Sequence, residues 1–93
     1  MKEEYYIFDA TTGKKLTNLS QDGDVEDFRA GDRVRYSDKC FSHVRGKFAT
    51  VVGFDENGNI WTQPDGKNGC HSTRADYATR HLIKVIDEID EPE

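Results

Sequence analysis

No apolar run in the chain approaches the roughly 20 residues that a bilayer-crossing helix needs, and the opening Met1-Lys2-Glu3-Glu4 lacks the basic start and apolar stretch of a secretory signal. The expected compartment is therefore the cytoplasm, and no membrane partner is expected. Cysteine is scarce. Cys40 and Cys70 are the only two, too few for a disulfide framework, and they are expected to be reduced. No Gly-rich phosphate loop, dinucleotide-binding pattern or internal repeat occurs. A chain of 93 residues holds one domain that buries a modest fraction of its surface, so a large active-site cavity is not expected. With 34% hydrophobic and 33% charged residues the core is thin, yet five Phe, four Tyr, one Trp and many β-branched residues argue against wholesale disorder.

The net charge of -5 is unevenly spread. Residues 1–28 carry three Lys against seven Asp or Glu, residues 29–84 carry ten Lys or Arg against six acids, and residues 85–93 carry five acids and no base. A mildly basic body thus lies between two acidic ends, which bears on partners and solubility rather than on fold.

The strongest local signal is Asn57-Gly58. A two-residue hairpin turn that matches strand twist needs positive φ, which Asn and Gly tolerate best. The turn predicts a central hairpin with arms at residues 47–54 and 60–63, closed by Pro64-Asp65-Gly66. Ahead of it, Arg33-Val34-Arg35-Tyr36 alternates, so Val34 and Tyr36 are expected inward and Arg33 and Arg35 outward. Residues 37–45 and 67–78 read as long loops, the second with a short extended piece. His81-Leu82 reads as a turn, followed by a last strand in which Ile83 and Val85 flank Lys84. At the N-terminus the β-prone run Tyr5-Tyr6-Ile7-Phe8, a turn at residues 11–14 and Leu16 to Leu19 predict a hairpin, and residues 22–27 a solvated acidic connection.

Phe28, Gly31-Asp32-Arg33-Val34, Gly46, Thr50-Val51-Val52, residues 55–60, Asp65-Gly66 and Leu82-Ile83-Lys84-Val85 together resemble the SH3-like small barrels, including the KOW-type and related bacterial and phage barrels. The expected fold class is all-β: an N-terminal hairpin extension and acidic loop over 1–27, a small SH3-like barrel over 28–86, and a disordered acidic tail over 87–93. The resemblance implies a non-catalytic binding module, a small regulatory or accessory protein of the phage type. Residues 37–45 are not the glycine-spaced KOW turn, and neither a groove motif for proline-rich peptides nor an aromatic cage for methyl-lysine is found. The partner class is therefore argued from the residues themselves.

Arg33, Arg35, Lys39, Arg45 and Lys47 could form a contiguous basic patch, which Arg74, Arg80 and Lys84, with His71 and His81, could extend. Tyr36, Phe41, Trp61 and Tyr77 are interleaved with these cations and could offer stacking surfaces to unpaired bases. A sequence pI near 5.1 weighs against a dedicated nucleic-acid binder. An acidic protein surface is therefore the expected partner, with nucleic acid as the alternative. Either Trp61 or the pair Ile60 and Thr62 is expected to face the core, and an outward Trp61 would be a rigid binding anchor. The expected binding residues are thus Arg33, Arg35, Lys39, Arg45, Lys47, Trp61, Arg74, Tyr77 and Arg80.

Cys40, His43, Cys70, His71 and His81 hold the right atoms for zinc, but the adjacent Cys70-His71 pair points to opposite faces of an extended strand. A Cys-His nucleophilic pair lacks a recognisable orienting group and oxyanion hole. No metal, cofactor or catalytic residue is expected, and a metal-dependent or catalytic protein built on Cys and His is the weakest alternative.

Overall fold

Alternation in Arg33-Val34-Arg35-Tyr36 sets the architecture, because burying Val34 and Tyr36 fixes which face of every neighbouring strand turns inward. The computed structural model describes residues 6–40 and 44–85; the acidic tail expected over 87–93 lies outside them, as do Tyr5, Phe41 and His43. Six strands form one open mixed sheet, β1 (Phe8–Asp9), β2 (Arg33–Tyr36), β3 (Phe48–Phe54), β4 (Ile60–Pro64), β5 (Gly69–Thr73) and β6 (Leu82–Lys84), in the order β1-β5-β4-β3-β2-β6. All pairings are antiparallel except β1 with β5, which is parallel. The described residues are thus all-β apart from a 3-10 turn at Ala75–Tyr77 and one helical turn, α1 (Ala78–His81).

The core gathers Val34, Tyr36, Ala49, Val51, Phe54, Ile60 and Leu82 from β2, β3, β4 and β6, together with Phe28, Val44 and Ala78 from the connections. Two polar groups are admitted because they satisfy each other: the Tyr36 hydroxyl and Thr62 Oγ1 lie 2.7 Å apart, both buried. Burial pushes the Tyr36 phenol up to about 12.

The central hairpin is present, but its turn differs from the expected two-residue form. β3 and β4 pair as far as Phe54 and Ile60, which leaves residues 55–59 in the loop. Gly58 N–H donates to Asp55 O at 3.0 Å, Asp55 N–H donates to Asn59 O at 3.1 Å, and Gly58 takes φ 82°. This is a type I turn followed by a left-handed glycine, and it needs positive φ at Gly58 but not at Asn57. The carboxylate of Asp55 selects it. Oδ1 accepts from the backbone N–H of Asn57 and of Asn59, each at 2.9 Å, while Oδ2 accepts from Asn59 Nδ2 and Trp61 Nε1, each at 3.0 Å. Partial burial tends to raise the Asp55 pKa, but these bonds outweigh it and hold the group below the ordinary carboxylate value.

The two-residue turn with both φ positive lies elsewhere, in the acidic connection. Val25 and Phe28 exchange backbone hydrogen bonds of 3.0 and 2.9 Å around Glu26 (φ 51°) and Asp27 (φ 71°). Lys84 Nζ donates to the main-chain oxygen of Asp27 at 2.6 Å, lies 3.4 Å from Asp32 and sits over the Phe28 ring at 5.9 Å. The lysine pins a turn whose first residue, Glu26, has no intrinsic preference for it.

Two other segments differ from expectation. Residues 67–78 are not mainly loop, since β5 and the 3-10 turn fill most of them. In β6 the inward residue is Leu82 opposite Tyr36, while Ile83 is turned out, because α1 ends at His81 and brings the strand in one residue earlier than a simple turn would. At the N-terminus, Phe8 bridges Lys15 and Leu16 N–H donates to Ile7 O at 3.0 Å, so a hairpin forms there, and β1 also joins the sheet beside β5.

Candidate interaction surfaces

The outward face of β6, β2 and β3 carries a cross-strand row, Ile83, Arg35 and Phe48, set by the pairings Arg35 with Ile83 and Arg35 with Phe48. Phe48 is 45% exposed and Ile83 40%, two of the four large apolar side chains that the described residues leave in solvent. Arg35 between them makes no ion pair or side-chain hydrogen bond with another described residue. Its neighbour Arg33 is committed: it donates to Asp65 Oδ1 at 2.7 Å and Oδ2 at 2.9 Å, and to Thr50 Oγ1 at 3.0 Å. This two-pronged contact holds the Asp65 carboxyl below its ordinary value.

Arg74, Tyr77 and Arg80 meet at the turn before β6. The guanidinium carbons of Arg74 and Arg80 lie 5.1 and 5.5 Å from the Tyr77 ring centroid, and His81 stacks on the ring at 5.8 Å with a 19° interplanar angle. Tyr77 remains 38% exposed, although the imidazole takes one of its faces. Arg74 is also paired with Asp76 at 2.9 Å.

The remaining sequence-chosen residues are dispersed. Lys39 and Arg45 are exposed on the turns at 37–40 and 44–46. Lys47 stands opposite Tyr36, whose N–H donates to its carbonyl, so it turns away from the Arg33 and Arg35 face and lines a groove on the other side. A single patch running from Arg33 through Lys47 is therefore not formed, because strand alternation divides it. Lys84 serves the Val25–Phe28 turn.

Trp61 is corrected as an exposed anchor: it is 8% exposed while Ile60 and Thr62 on the other face are also buried. Both faces of β4 are covered because residues 15–20 cross the outer side of the hairpin. Gly53 permits the crossing, since a Cβ there would lie 2.8 Å from Ser20 O and 2.9 Å from Leu19 Cβ. Tyr36 is likewise buried and offers no stacking surface.

Cys40 and Cys70 are not joined in a disulfide, and Cys70 is buried. Burial, assisted by Asp9, pushes its thiol up to about 11, a poor starting point for a nucleophile. Among the described residues no group of three His, Cys, Asp or Glu side chains is placed to hold a metal ion, and no helix is long and apolar enough to cross a membrane. No protein-family model, curated protein or solved structure matches the chain.

Proposed function

We propose that the protein is a non-catalytic binding module of the cytoplasm, a small regulatory or accessory protein built on an SH3-like barrel, and that it binds the acidic surface of another protein. The barrel reading is supported by the path of the chain: β2 to β5 pair in chain order and β6 returns beside β2, the meander from which small barrels are made. The observation that carries the function is the outward row Ile83, Arg35 and Phe48, in which Ile83 and Phe48 are exposed and Arg35 is half-buried. A cation that no described residue pairs, set between two exposed apolar side chains, suits a carboxylate flanked by apolar groups, with Arg and aromatic residues supplying the anchors. A protein is favoured over nucleic acid because Arg33 is already neutralised by Asp65 and the chain carries -5 overall.

The test is a titration of the full chain and of Arg35→Glu against single-stranded DNA, RNA and an acidic protein retained by the immobilised full chain. The reading expects the protein complex alone to form, to weaken in Arg35→Glu, and to weaken with salt. Nucleic-acid binding with a steep salt slope, and no protein complex, would replace it with the alternative.

A further inference from the structure

The groove lined by Lys47 has an occupant chemistry of its own. It measures about 700 Å³ and runs between the β1–β5 edge and the turn that precedes β3, within the size range of sites that hold specific ligands. Its apolar lining comes from Phe8, Val44 and Pro64, while Lys47 and Lys67 add cations. Neither lysine forms an ion pair with another described residue. The one lining carboxylate, Asp65, is occupied by both terminal guanidinium nitrogens of Arg33. The groove is thus locally cationic in a protein of net charge -5, and no described carboxylate is paired with either lysine. Its wall depends on a close approach at Gly69, where a Cβ would lie 3.1 Å from Ala10 Cβ and 3.2 Å from the Phe8 ring.

We infer that this groove is a second binding site, separate from the Arg35 face, which takes an extended peptide segment of a partner protein in which an apolar side chain is flanked by carboxylates. The apolar side chain fills the space between Phe8, Val44 and Pro64, and the carboxylates meet Lys47 and Lys67. Charge complementarity selects the peptide: a basic segment would be repelled, and an uncharged apolar one would leave both ammonium groups without a partner. The volume exceeds what one side chain fills, so several residues of an extended chain are accommodated.

The experiment uses the full chain and a fluorescein-labelled probe peptide, Asp-Glu-Leu-Asp-Phe-Glu, with two controls in which the acids become Lys or the apolar residues become Ser. Anisotropy gives affinity, and amide shifts of the labelled protein give location. The expected result is binding of the acidic apolar peptide alone, shifts at Phe8, Lys47, Lys67 and His71, and a loss of at least about tenfold in affinity for Lys47→Glu/Lys67→Glu. In Arg35→Glu the probe-induced shifts at Phe8, Lys47, Lys67 and His71 should persist. The lysine variant alters exposed side chains and Arg35→Glu an outward, half-buried one, and their amide spectra report whether the fold persists. Absence of binding at millimolar peptide, or equal affinity in the double lysine variant, overturns the inference. Shifts confined to Arg35, Phe48 and Ile83 overturn it as well while supporting the first site. Self-association abolished by the lysine changes would make the occupant a second copy, which also overturns the peptide assignment.

Discussion

Replacing Glu26-Asp27 by Asn-Gly should stabilise the protein. Both residues hold positive φ, 51° and 71°, in the tight connection between Val25 and Phe28, and ordinary L-residues pay about 1–2 kcal/mol each for that conformation. Asn tolerates it and Gly adopts it freely, so most of the strain is relieved, less the extra entropy that Gly loses on folding, roughly 0.5–1 kcal/mol. The contact from Lys84 survives, because it reaches the main-chain oxygen of residue 27 and not its side chain. The net gain expected is about 1 kcal/mol, equivalent to a rise in Tm of roughly 4–8 °C for a domain of this size. Urea unfolding followed by Trp61 fluorescence, with Asp27→Val as the opposing control, reads both signs. Val at this position should lower stability, since its β-branch is the least compatible with left-handed backbone. An Asn-Gly variant no more stable than the parent, or a tolerated Val, would refute a strained turn held by Lys84.

Other perturbations test the remaining supports of the fold. Asp55→Asn places an amide donor against the donors Asn59 Nδ2 and Trp61 Nε1, and should cost about 1–3 kcal/mol for the partnerless indole N–H. The parent's pH profile follows from the lowered Asp55 pKa: its contribution is present above the ordinary value of 3.8 and is lost as pH falls through the lower folded value. The variant should lack that acid-side component in denaturant melts across pH. Val34→Asp should prevent folding, because it sets an unpaired charge at a fully buried site, whereas Arg33→Asp on the exposed face should still melt cooperatively; the reverse ranking would place β2 one residue out of register. Gly53→Ala should destabilise by about 2 kcal/mol or more through the clash with Leu19 and Ser20, accompanied by a red shift of Trp61 emission as the crossing segment lifts. A disulfide reagent at pH 8 should modify Cys70 only at the rate of unfolding, since the thiol is buried with its pKa pushed up to about 11.

The strands and the inward face were legible because period-two alternation at Val34 and Tyr36 is enforced by burial on one side. Turn chemistry was less so. Asn57-Gly58 is a strong hairpin signal, but the side chain of Asp55, two residues before Asn57, accepts four hydrogen bonds and selects a longer loop. The positive-φ pair falls instead on Glu26-Asp27, where Glu26 has no intrinsic preference for it, and the lysine that holds it comes from the far end of the chain. Trp61 could not be assigned from β4 alone, because a segment more than 40 residues earlier covers its second face. The groove was invisible for the same reason: Phe8, Val44, Lys47, Pro64 and Lys67 share no spacing in sequence and meet only when β1 pairs in parallel with β5. Arg35 was visible as an outward cation, while its apolar flanks required the register of both neighbouring strands.

Binding through the row Ile83, Arg35 and Phe48 can be read out by a photo-reactive phenylalanine analogue at position 48 of the full chain, irradiated in cells. One specific protein adduct is expected, lost when Arg35→Glu is added and absent when the analogue is placed instead at Lys14. No adduct at position 48, or an adduct indifferent to Arg35→Glu, would contradict binding through this row.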